Sequence, residues 1–179
     1  MTVLDQLWAL AVHVAASSEV EVDLLFGECG LFLVPPLERW EYFCTPLNTL
    51  TFATTGGDGV HYGLLQMPGF ACDEQPIVMT VPMGNHSNLV VAESLEEFLG
   101  LGYFVGWFSL EQLAYDASDA VSYFAQADAE ASPEKEEELS ILRDALQIRY
   151  TALSLKRIQH LNVKYLSLLV LPESATPGG

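Results

Sequence analysis

The sequence predicts an α+β domain: a central, mostly antiparallel sheet flanked by helices, with a helical C-terminal region. Three observations carry this expectation. Two apolar runs, Leu50-Thr51-Phe52-Ala53 and Val60-His61-Tyr62-Gly63-Leu64-Leu65, hold the β-branched and aromatic residues of half-buried strands and flank a Thr-Thr-Gly-Gly-Asp-Gly turn. Pro76-Ile77-Val78-Met79-Thr80-Val81-Pro82 and Asn88-Leu89-Val90-Val91-Ala92 follow at strand length. After Ser109 the apolar residues recur at helical spacing behind serine caps.

In chain order, Val3, Leu4, Leu7, Trp8, Leu10, Ala11, Val14 and Ala15 repeat near the helical period behind Thr2, which predicts an amphipathic helix over residues 3–16. Glu19-Val20-Glu21-Val22-Asp23-Leu24 alternates and Gly30-Leu31-Phe32-Leu33-Val34 is wholly apolar apart from its glycine, so two strands are expected, or one strand with an irregular link. Pro35-Pro36 is expected to close the second run. Leu37 to Phe43 fits either a short helix or an edge strand, and Thr45-Pro46-Leu47-Asn48 reads as a loop.

The hairpin follows, with Gly56, Gly57, Asp58 and Gly59 as turn residues because glycine and aspartate tolerate positive φ. Ser94-Leu95-Glu96-Glu97 and Ser109-Leu110-Glu111-Gln112 both match a capping box. The first predicts a short helix stopped by Gly100 and Gly102, and the second a helix running through Phe124. Tyr103 to Phe108 forms an aromatic connector between them. Gln126 to Ser132 reads as a linker. Ser132-Pro133-Glu134 opens a third helix with an apolar stripe at Leu139, Leu142, Leu146, Tyr150 and Leu153. Its acidic start, Glu136-Glu137-Glu138, and the later Arg149, Lys156 and Arg157 complement the helix dipole without a ligand. Val163 to Leu171 is expected as a final strand or a buried extension.

The chain has 179 residues, enough for one domain that buries roughly 70% of its unfolded surface. Its apolar runs fall well below the ~20 residues of a membrane span, and no basic n-region precedes the first apolar segment, so a soluble, cytoplasmic protein is expected. Cys29, Cys44 and Cys72 are odd in number and widely spaced, fitting buried reduced thiols better than disulfides or a metal site.

Charge is distributed unevenly. From Met1 to Glu134 there are 19 acidic residues against one basic residue, Arg39, whereas from Lys135 onward six basic residues face five acidic ones. Such a field repels nucleic acid phosphates and anionic lipids and attracts basic proteins. The same surface also serves plain solubility.

Few residues invite chemistry. Asp58 and His61 lie across the turn, but no nucleophile elbow accompanies them, and the aspartate suits the turn itself. The glycines match neither GxxxxGK[ST] nor GxGxxG. His13, His61, His86 and His160 lack paired metal-ligand spacing, so no metal and no cofactor is expected. Cys72 precedes Asp73 and Glu74, whose charges make it a poor nucleophile. Trp40, Tyr42, Tyr103, Trp107 and Phe108 read as core or interface aromatics, and several exposed together would mark a binding patch.

Thr45-Pro46, the Gly56-Gly57-Asp58-Gly59-Val60 turn, Pro76-Ile77-Val78 and the step Val91-Ala92-Glu93-Ser94-Leu95-Glu96-Glu97-Phe98-Leu99 resemble, in this order, the motifs of the SUKH superfamily over roughly residues 30–105. That group takes in bacterial immunity proteins and fungal regulators of cell-wall glucan synthesis. The resemblance implies a SUKH-like domain; together with a helical extension from about residue 109, which the resemblance does not explain, it is expected to form a single domain over residues 1–171, followed by a flexible tail over 172–179. It implies binding in place of catalysis: sequestration of a basic protein, such as a nuclease toxin, with no nucleic acid or membrane partner. The candidate contacts are Asp58, Asp73, Glu74, Glu93, Glu96 and Glu97. Two alternatives stand beside it: a regulatory or scaffold protein that binds an endogenous partner or forms a homodimer, and a hydrolase whose dispersed site gathers around Asp58 and His61.

Overall fold

The computed structural model describes residues 1–18, 20–125 and 132–173. Its centre is a five-stranded antiparallel meander, β1 (Phe32–Glu38), β2 (Thr49–Thr54), β3 (His61–Leu65), β4 (Ile77–Thr80) and β5 (Asn88–Ala92), paired in that order. Helices α1 (Val3–Ser18), α2 (Leu95–Leu101), α3 (Ala117–Ala125), α4 (Pro133–Leu146) and α5 (Leu155–Tyr165) surround it, with short 3-10 turns at Cys72–Glu74, Phe108–Ala114 and Leu166–Leu168. This is the α+β arrangement that the sequence predicts.

Strand alternation divides the burial between two faces. Tyr62, Leu64, Ile77, Met79 and Val91 join the main core with Leu4 and Leu7 of α1 and Phe98 of α2. Leu65, Val78 and Val90 point the other way, against Leu161 and Tyr165 of α5. Two of the three β-ladder irregularities, near Thr51/Ala53 and Ile77/Val78, shift this alternation by a residue where they occur.

Several expectations are corrected. The alternating segment before residue 25 is not a strand: residues 22–30 form consecutive turns that bury Leu25, Phe26 and Cys29. Adjacent buried residues are incompatible with a one-sided strand, and backbone bonds such as Leu31 N–H to Phe26 O close the turns instead. Pro35-Pro36 does not end β1. The strand continues to Glu38 through a cis bond between the prolines and a register break between Leu33 and Glu38, which an edge strand tolerates because its outer amides need no ladder partner. Residues 37 and 38 are therefore strand, and residues 39–42 an irregular link.

The Ser109 capping box does not form. Phe108–Ala114 is a 3-10 segment, and the helix starts afresh at Ala117, where Asp116 Oδ1 accepts from Ser118 N (2.9 Å) and Asp119 N (3.1 Å). The expected long third helix is two helices. α4 stops at Leu146, where Gln147 is left-handed (φ 52°), and Ser154 then caps α5 by accepting from Arg157 N. Val163 lies within α5 and residues 166–168 are 3-10, so Val163 to Leu171 forms no strand. Most of the predicted linker, residues 126–131, and most of the tail, 174–179, fall outside the described residues, as does Glu19.

Other caps follow the sequence closely. Thr2 and Asp5 exchange bonds at the start of α1, and Ser94 and Ser132 accept from Glu97 N and Lys135 N. No helix among the described residues is long and apolar enough to cross a membrane.

Candidate functional site

The site is built around the hairpin turn. Gly56 (φ 84°), Asp58 (φ 51°) and Gly59 (φ 71°) are all left-handed, a conformation that costs glycine nothing and aspartate little. The turn's side-chain hydrogen bonds come from Thr54, whose hydroxyl donates to Val60 O at 2.6 Å, and from Thr55, rather than from Asp58 as expected. Two of the glycines do more than turn. A Cβ on Gly56 would fall 2.5 Å from the Phe32 ring, and one on Gly59 would fall 2.5 Å from the ring of Tyr42. Aromatic rings thus lie directly against the turn backbone.

Beside the turn, the link after β1 lays Trp40 and Tyr42 over His61. Trp40 and Tyr42 stack with centroids 6.1 Å apart, and each lies within 6 Å of the imidazole, at 5.3 and 5.6 Å. His61 Nδ1 lies 2.7 Å from Gly59 O, and Nε2 lies 3.1 Å from Thr45 Oγ1. A carbonyl only accepts, so Nδ1 carries the proton and Nε2 takes one from the threonine. Burial pushes the imidazole pKa below its ordinary value and favours this neutral form. With both nitrogens occupied, His61 is a support for the aromatic pair and has no N–H left to give to Asp58.

Three shallow hollows meet at Trp40. The largest, about 570 Å³, is lined by Glu38, Arg39, Trp40, Glu41 and Tyr42. A second runs from Asp23 and Leu24 past Phe32 and Pro35 to Trp40, and a third joins Trp40 and Tyr42 to Asp58. Asp23, Glu38, Glu41 and Asp58 are all exposed. Arg39 is the one basic residue in these linings, and its guanidinium donates to Thr45 O at 3.2 Å. The result is an aromatic surface in a negative frame.

Of the acidic residues expected to contact a partner, only Asp58 belongs to this face. Asp73 caps α1 from a distance, accepting from Val3 N (2.7 Å) and Leu4 N (3.3 Å). Glu74 closes its own 3-10 turn by accepting from Ala71 N. Glu93 and Glu97 face α5: Arg157 binds Glu97 through Nε at 2.7 Å and Glu93 through Nη2 at 2.9 Å, while Lys164 and Tyr165 also donate to Glu93. Hydrogen bonds from Lys164, Tyr165 and Arg157 hold the Glu93 carboxyl at a pKa of about 2. Glu96 is exposed on α2, away from these bonds.

The sequence reading missed Asp23, Glu38 and Glu41 as members of one surface. Glu38 and Glu41 have one local sign, the Glu38-Arg39-Trp40-Glu41-Tyr42 string that sets acids beside aromatics, and Asp23 has none. The cysteines are free; Cys29 and Cys44 are buried and Cys72 half-buried, and burial raises all three thiol pKa values. In comparisons with known proteins, the chain matches no family model, no curated protein and no solved structure.

Proposed function

We propose that this chain is a non-catalytic protein-binding module, of the toxin-immunity kind suggested by its SUKH-like motifs, that captures a basic polypeptide. The observation that carries the reading is the half-buried Trp40 stacked with the exposed Tyr42 and framed by Asp23, Glu38, Glu41 and Asp58. Aromatic anchors supply the area and carboxylates steer a cationic partner, a division of labour common at protein interfaces. The net charge of −17 extends that steering over the whole approach. The three free thiols suit the reducing cytoplasm that we propose as its location.

A second reading, a scaffold that self-associates, is favoured by one other feature. Phe43, Leu166, Leu169 and Leu171 line a separate hollow of about 390 Å³ beside His86 and Asn88. Sedimentation over a range of concentrations tests it directly, with a constant monomer mass as the opposing result. The hydrolase reading gains no support from this face, because both His61 nitrogens are already engaged.

The test of the main reading uses purified basic polypeptides, with acidic ones of similar size as controls. The chain should bind the basic set at low salt, more weakly as salt rises, and more weakly again in the triple variant E38Q/E41Q/D58N. Equal binding of basic and acidic polypeptides, or indifference to those substitutions, would overturn it.

A further inference from the structure

We propose that the Trp40–Tyr42 pair is the seat for a single arginine side chain of the partner, laid on the outer aromatic surface with its guanidinium between Glu38, Glu41 and Asp58. This rests on the binding reading above and specifies the group that is read. Stacked rings at 6.1 Å leave no room for a further plane between them, so the cation lies over their outer faces.

Three features select a cation for this place. The faces of indole and phenol carry negative quadrupoles that attract a cation within about 6 Å of a ring centroid. Glu38 and Glu41 line one hollow with both aromatic residues, and Asp58 lines the adjoining one with the same pair, so charge and aromatic surface border the same hollows. The ring beneath them is a neutral imidazole whose proton is directed to Gly59 O, so no positive charge from His61 competes. The resident cation, Arg39, is turned to Thr45 O, which leaves the frame with four carboxylates against one guanidinium.

The choice of arginine over lysine follows from shape. A guanidinium is planar, stacks on aromatic faces and presents a fork of donors to carboxylates on more than one side; an ammonium is a compact, strongly hydrated point charge. The turn holds the geometry in place, since Gly59 lets Tyr42 lie against the backbone and His61 supports both rings from below.

Short glycine-serine peptides carrying arginine, lysine or citrulline at one position test this on the full chain. Binding is followed by NMR through the backbone amide signals of Gly57 to Gly59, which every variant retains, and in the parent chain also through the Trp40 indole signal, assigned by difference with Trp40→Phe. The arginine peptide should shift these signals, the citrulline peptide should leave them unmoved, and Trp40→Ala should weaken arginine binding by about 2- to 30-fold. Trp40→Phe keeps a ring in the same packing and should retain most of the binding, which separates loss of the seat from loss of the fold. If lysine binds as well as arginine, the arginine assignment fails. If basic peptides bind and respond to E38Q/E41Q/D58N but not to Trp40→Ala or Tyr42→Ala, the seat fails while the acidic-surface reading stands. If neither these peptides nor whole basic polypeptides bind, both fail together.

Discussion

The side-chain amide of Asn162 pairs with the backbone of Val90 as a neighbouring strand would: its Oδ1 accepts from Val90 N at 2.9 Å and its Nδ2 donates to Val90 O at 3.1 Å. β5 is the last strand of the sheet, and an open edge there would offer unpaired amides to another chain. One asparagine on α5 satisfies both groups in the middle of that edge. Asn162→Leu keeps the branched shape but orphans the N–H and C=O of the buried Val90, so it should cost about 1–3 kcal/mol in denaturant unfolding. Faster amide exchange at Val90 is the local signature.

Acid should weaken the α5 attachment through Glu93. Its carboxyl titrates at about 2 in the fold against an ordinary value of 4.5, so the unfolded chain binds the proton more readily. The stabilisation is complete above 4.5 and disappears as pH falls toward 2. Arg157→Met removes a donor from both Glu93 and Glu97, so its acid-unfolding midpoint should move to higher pH than that of the parent chain, as followed by circular dichroism.

A second titration belongs to His61 and acts closer to neutrality. Burial depresses its pKa below the ordinary 6.5, so the unfolded chain takes up the proton first as pH falls. Stability should therefore decline as pH drops from 6.5 through the folded-state pKa of His61. A His61→Gln variant should show a flatter stability profile over about pH 5 to 7.5.

Asp73 and Asp58 should separate structure from binding. Asp73→Ala uncaps α1 at Val3 and Leu4 and should cost about 0.5–2 kcal/mol without changing affinity for basic polypeptides. Asp58→Asn should do the reverse, weakening that affinity with little change in thermal midpoint. Equal effects of both variants on binding would show that the face has been drawn in the wrong place.

The turn glycines make a paired comparison. Gly59→Ala puts a Cβ against Tyr42 at a positive φ and should destabilise by about 1–3 kcal/mol, with a shifted Tyr42 ring signal in NMR. Gly57→Ala meets nothing within 4 Å and has no positive φ, so its unfolding midpoint should stay close to the parent's or rise slightly.

Local chemistry explains which parts of the fold were legible in the sequence. The hairpin, β4, β5, the Ser94 and Ser132 caps and the amphipathic α1 each carry their signal within a few residues. The failures share a different cause. Glu19-Val20-Glu21-Val22-Asp23-Leu24 alternates like a strand, but the docking of Leu25, Phe26 and Cys29 into the core decides its path. The stripe from Leu139 to Leu153 looks continuous because a helical period does not register the left-handed residue at Gln147. Sign alone marks the acidic candidates in the sequence. Asp73, Glu93 and Glu97 find their partners some 60 to 70 positions away, so their internal work could not be read from their neighbours. The aromatic face was half legible: Trp40 and Tyr42 stand out, while their support on His61 depends on how β1 leads into the link.

The positive charges of α5 also impose an order on assembly. Glu93 and Glu97 emerge during synthesis long before Arg157 and Lys164, and Val90 long before Asn162. α5 therefore serves the sheet in two ways at once, as the cover of an edge that would otherwise invite a further strand and as the countercharge to the carboxylates beside it.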